Sequence, residues 1–171
     1  HACALVRDTV AGFRSGQTAG TSPVLSDREI VELARALSHH EVRDLAFGAC
    51  WPPRTDLAAA AEQLWTVLVR GVPAPERAAP ASLLAYTAYL RGGGPVAGVA
   101  VAKALEARPG HTLAKLLDQA LAHAVPPATM ARLAQDRTGT FSAVAGRGEN
   151  ASGRTVSGEA WNDRPGRAAP G

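Results

Sequence analysis

The chain has 171 residues, enough for one domain with its own core, and 46% of them are hydrophobic. Much of that share is alanine and only 5% is aromatic, which favours close-packed helices over a thick aromatic core. The net charge of +3 carries no nucleic-acid signal: residues 137–171 hold five arginines against three acids, and the rest holds thirteen basic against twelve acidic residues. The part expected to fold is therefore nearly neutral and lacks a concentrated phosphate-binding stripe, so a nucleic-acid partner is not expected.

No apolar run reaches the roughly 18 residues of a membrane-spanning helix, so no membrane partner is expected. The N-terminus lacks the basic start and apolar run of a secretory signal. Cys3 and Cys50 are far apart and form no C-x-x-C pair. That usage suggests a reducing, cytoplasmic setting and argues against a disulfide framework. The first residue is His1 rather than methionine, and we expect a piece of a longer protein or a processed product.

Taken in order, Leu5, Val6, Val10 and Phe13 suggest a short helix over 4–13. SGQTAGTSPV, residues 15–24, reads as a linker, so residues 1–24 are expected to be an N-terminal remnant and linker. Leu25–Ala34 and Leu37–Ala46 then share the pattern Leu-Ser-x-x-Glu-(Ile/Val)-x-x-Leu-Ala. Ser26 with Glu29 has capping-box spacing, and Leu25 with Ile30 has that of a hydrophobic staple. Leu37, Ser38, Glu41 and Val42 repeat both. Two helix starts are expected, meeting at a corner near Ser38.

Trp51-Pro-Pro ends the second of these. From Asp56 to about Arg70, Leu57, Ala61, Leu64, Trp65 and Leu68 make one apolar face. Pro80 is expected at the first helical position of the next helix, which ends at Gly92-Gly93-Gly94. Pro95 opens another, to about Arg108, with Val96, Val99, Ala100 and Ala104 on one small apolar side. Gly98 within it suggests close approach by another backbone. Thr112–Ala124 carries Leu113, Leu116, Leu117, Ala120 and Leu121, the cleanest amphipathic pattern in the chain. Pro126-Pro127 stops it and starts a last helix over 128–135, with Met130 and Leu133 inward.

From 136 onward the periodicity vanishes, and glycine occurs seven times between Arg137 and Gly171. A disordered Gly/Arg/Ala-rich tail, 136–171, is expected. The fold expected is all-α: about six short helices packed as helical hairpins in a domain over 25–135.

Leu64-Trp65, Ala79-Pro80 with Leu83-Leu84-Ala85, Ala104-Leu105 before Pro109, Leu113-Ala114 with Leu116-Leu117, and Pro126-Pro127 follow one another as blocks. In this order they resemble an uncharacterised actinobacterial family, the domain-of-unknown-function family 4192. The resemblance covers residues 25–127. It departs at Gly92-Gly93-Gly94, where the family tends to Gly-Asp-Gly, and at His111, where it tends to an aromatic. The resemblance implies no established activity and a preceding α/β region. A narrower similarity lies within it: Ala85 and Ala88, then Ala97, Val101, Ala104 and Pro109, have the spacing of one tetratricopeptide-type helical hairpin.

The chemical candidates are weak. His39-His40-Glu41 with Asp44 lacks a third metal ligand in a recognisable place, and a solvated helix start explains it better. Cys50 has no local base and reads as a buried structural thiol. Gly92-Gly93-Gly94-Pro95 lacks the Gly-Lys-Ser/Thr ending of a phosphate loop. Asn150-Ala151-Ser152 is a formal glycosylation sequon without a secretion signal. No catalytic residue, metal ligand or cofactor site is expected. Tyr86, Tyr89 and Arg91 are the candidate interface, weighed against ordinary partial burial. The function expected is a non-catalytic helical interaction or scaffold module, its partner another protein or an N-terminal domain of its own. The alternative is an accessory helical domain of an enzyme whose active site lies in such an α/β region.

Overall fold

A computed structural model describes residues 1–21, 23–132 and 134–135. Among these the fold is all-helical, with α1 (Ala2–Ala19), α2 (Asp27–Ser38), α3 (His40–Ala49), α4 (Asp56–Gly71), α5 (Ala78–Leu90), α6 (Gly94–Ala107), α7 (Thr112–Ala122) and α8 (Pro127–Met130). The expected tail and Leu133 lie outside the described residues.

The centre is α5. Every residue from Ala78 to Leu90 except Leu84 is buried. A helix that is apolar all round has no face to offer solvent, so its neighbours must surround it. It packs against α2, α3, α4, α6, α7 and α8, most extensively against α6. Ala85 and Ala88 with Ala97 and Ala104 are buried there. Small side chains let the two backbones lie close.

The N-terminal expectation is corrected. Instead of a short helix over 4–13, α1 is an 18-residue helix. It buries Val6, Val10 and Phe13 against the same core and packs on α2, α3 and α4. The stretch read as a linker contains its end. Gly20 adopts φ 69°, and the N–H groups of Gly20 and Thr21 donate to the carbonyls of Gln17 and Gly16. This is a Schellman motif, which glycine enters without a Cβ penalty. A Cβ on Gly16 would lie 2.3 Å from the Thr21 carbonyl oxygen, so the turn requires glycine there too.

Of the two expected capping boxes, one forms. The Glu29 N–H donates to Ser26 Oγ at 3.4 Å, and the Ser26 N–H donates to Glu29 Oε2 at 2.8 Å. The Ser26 hydroxyl also donates to Glu29 Oε2 at 2.6 Å, and this bond first, then that of the Ser26 N–H, holds the exposed Glu29 carboxyl below its usual pKa. At the second copy, Ser38 is the last residue of α2, and its hydroxyl donates back to the Arg35 carbonyl at 2.6 Å. His39 takes the cap position of α3 without a side-chain cap. Arg43 explains the shift: its Nη1 donates to the carbonyls of Leu37 at 3.1 Å and Ser38 at 2.9 Å. A guanidinium on the last carbonyls of α2 satisfies groups that a helix end leaves orphaned.

Further along, Thr55 Oγ1 caps α4. Gly98 meets no atom within 4 Å of an added Cβ, so the close approach expected there is absent. The inward side of α6 also differs from the expectation. Ala97, Ala100, Val101 and Ala104 are buried, while Val96 and Val99 face solvent.

Candidate functional site

The expected interface residues separate. Tyr86 is fully buried; its ring meets that of Phe47 edge-on at 5.1 Å, and its hydroxyl donates to the Met130 carbonyl at 2.6 Å. Tyr89 is buried too, and its hydroxyl donates to the Val125 carbonyl, with that of Ala120 also in reach. Both phenols thus donate to backbone carbonyls around the end of α7 and in α8. Of the two readings weighed for Tyr86 and Tyr89, burial is the one observed: the apolar ring bodies belong to the core and their polar tips to helix ends. Arg91 remains exposed and pairs with Glu62 of α4 at 2.6 Å. A solvent-exposed pair of this kind contributes about 0–1 kcal/mol.

His39, His40 and Glu41 are exposed at the start of α3, and Asp44 is half-buried. Among the described residues no three His, Cys, Asp or Glu side chains gather as metal ligands would. Cys50 is fully buried. Its thiol donates to the Ala46 carbonyl at 3.4 Å and lies 3.1 Å from Thr87 Oγ1. Burial pushes the thiol pKa up to about 11, against the opposing contacts of Thr87 and Trp65. The Trp65 indole N–H is buried without an acceptor at full hydrogen-bond geometry, yet lies near enough to the sulfur to oppose that rise. A thiol held protonated is a poor nucleophile. Gly92, at φ 84°, ends α5 in a second Schellman motif, with the Gly92 and Gly93 N–H groups on the Tyr89 and Ala88 carbonyls. The glycine run is thus a helix stop followed by a start. Asn150 and Ser152 lie outside the described residues.

Sequence reasoning missed His111. It caps α7, its Nδ1 accepting from the Ala114 N–H at 3.4 Å. Ser82 Oγ of α5 lies 3.1 Å from the same nitrogen and 2.7 Å from the Ala78 carbonyl oxygen, so its one hydroxyl hydrogen is shared between these two acceptors. Desolvation first, then Arg43 and Arg108, push the imidazole pKa down to about 4. The ring therefore stays neutral at ordinary pH and serves as a buried acceptor. Ser82 is fully buried, so the pair ties α5 to α7 and presents no nucleophile. The position just before Thr112 was the available signal, but histidine is a rare cap.

Among several surface concavities of similar size, the one with the most apolar lining is a groove of about 390 Å³ on the outer side of α4, α5 and α6. Its walls are α4 and α6, whose backbones do not approach each other closely, and its floor is α5. Leu84, the one residue of α5 not buried, lies in that floor. Val69 of α4 lines one wall, and Val96 and Val99 of α6 line the other, 47% and 61% exposed. Arg70 and Lys103 stand at the edges. Apolar side chains gathered in a concave strip, with cations at its rim, can bind another apolar surface and equip no bond-making chemistry.

Among the described residues no helix is long and apolar enough to cross a membrane. A family model described as Domain of unknown function (DUF4192) matches residues 1–128. No curated protein and no solved structure matches the chain. The match begins at the first residue of the chain and so takes in α1, whose side chains complete the core, and it ends within α8: the chain belongs to the DUF4192 family.

Proposed function

We propose that this domain is a non-catalytic helical interaction module, and that the α4–α5–α6 groove is where it receives a protein partner. The observation that carries this reading is the outward placement of Val96 and Val99 beside Leu84 and Val69. Large apolar side chains grouped in one concavity mark binding surfaces more often than singly scattered ones do. The α5–α6 hairpin, with its one-unit tetratricopeptide spacing, gives this groove a rigid wall and floor. The buried polar groups favour the same reading, since Cys50 meets Thr87 and Ser82 meets His111 across neighbouring helices. The setting we propose is cytoplasmic, in keeping with two free cysteines.

The test is purification of the tagged protein from its native cells, beside a Val96→Asp/Val99→Asp variant. The expected result is a protein that co-purifies in fixed ratio with the wild type, binds it again when both are pure, and is lost from the variant. A wild-type protein that stays monomeric and unaccompanied at all concentrations overturns the proposal.

A further inference from the structure

We infer that the occupant of this groove is an amphipathic helix with an acidic flank, supplied by a partner protein. The inference rests on the interaction reading above and adds the chemistry of the partner. Its basis is shape together with charge.

The shape is that of a site lacking one helix. Two helices whose backbones stay apart stand on a common third, and the strip between them is floored by Leu84. On α6, Val96, Val99 and Lys103 follow one another at i, i+3 and i+7, so they form a single stripe facing the strip. On α4, Val69 and Arg70 supply the facing edge. A helix laid in such a trough would bury its own i, i+3, i+4 and i+7 apolar positions against both walls.

The charge sets which helix. Arg70 and Lys103 are both exposed, and no acidic side chain lines the groove. Glu62, the acid one turn before Thr66 on α4, is engaged with Arg91. The rim is therefore positive at both walls around an apolar floor. Carboxylates beside the apolar stripe of an incoming helix would meet these two cations, while lysines there would be repelled. A second copy docking groove to groove would set Arg70 and Lys103 against their own counterparts, so self-pairing is disfavoured. Two cations are also fewer than the roughly four to eight of a polybasic lipid-binding cluster.

Two synthetic helix-forming peptides test this, sharing one leucine stripe and differing only in flanking glutamates or lysines. Binding to the full chain is followed by amide chemical shifts and by anisotropy of a labelled peptide. The glutamate peptide should bind roughly tenfold or more tightly than the lysine peptide, shift the amides of Val69, Val96 and Val99, and weaken as salt rises. An Arg70→Glu/Lys103→Glu variant, both sites being exposed, should keep its helical circular dichroism and invert the preference. Equal binding of both peptides in the groove overturns the acidic partner while leaving the interaction reading intact. Absence of groove shifts with either peptide also overturns this inference, and the co-purification experiment then decides the broader reading separately.

Discussion

Leu25–Ala34 and Leu37–Ala46 are near copies in sequence, yet they do different work in the fold. In the first, Leu25 and Ile30 are half-buried, Val31 is half-exposed, and the serine closes a capping box. In the second, Leu37 and Val42 are buried, and the serine belongs to the preceding helix. The position matching Val31 is Arg43, whose guanidinium holds the last carbonyls of α2. A capping motif thus offers a helix start, and the neighbouring chain decides whether the offer is taken. Where the preceding helix runs straight into the motif and a cation waits for its carbonyls, extending that helix satisfies more groups than capping the next one.

The widest gap between the copies should lie at their leucines. Leu37→Ala removes a fully buried side chain and should destabilise by about 2–5 kcal/mol, whereas Leu25→Ala, at a half-buried site, should cost about 1 kcal/mol. Urea denaturation of the two variants checks this, and equal losses would erase the distinction.

Acid sharpens the contrast next, because Arg43 also acts on His111. That imidazole has its folded-state pKa lowered to about 4, with desolvation the largest cause and Arg43 the next. The unfolded chain, with an ordinary histidine, then takes up more protons over the interval between. The neutral ring's contribution is fully present above the unfolded value near 6.5 and is lost as pH falls towards 4. Between roughly pH 7 and pH 5 the loss from this residue should be about 2 kcal/mol. His111→Asn, with an uncharged cap, should flatten that slope in paired denaturation curves. Arg43→Leu should reduce it by relieving the repulsion.

Arg43→Leu should itself cost about 1–2 kcal/mol near neutral pH, since two charge-assisted bonds to carbonyls are lost. The matching change in the first copy, Val31→Leu at a half-exposed site, should leave the unfolding midpoint nearly unchanged. Smallest of all is the serine pair. Ser26→Ala should cost about 1 kcal/mol and Ser38→Ala no more than a few tenths. An equal loss at both serines would mean that the second box also forms in solution.

The same division between offer and outcome runs through the molecule. Helix positions from α2 to α7 were legible because apolar spacing, prolines and glycines mark them locally. The length of α1 was obscured because its Schellman end, Gly16 to Thr21, has the composition of a flexible linker. In α5 the obstacle was different. Apolar residues on every side leave no amphipathic signal, so a sequence cannot say which way Tyr86 and Tyr89 turn. On α6 a valine stripe and an alanine stripe compete, and only the closeness demanded by α5 selects alanine for the interior.

By itself, then, the sequence determined the all-helical class and most helix starts and stops. These depend on backbone geometry over a few neighbouring residues. Only the tertiary structure decided that α1 joins the core, that two tyrosines point inward to helix-end carbonyls, that His111 is a buried neutral cap, and that Val96 and Val99 are left outside. Each of those outcomes is set by residues far away in the chain, through the competition of many side chains for one interior and of orphaned carbonyls for a few donors.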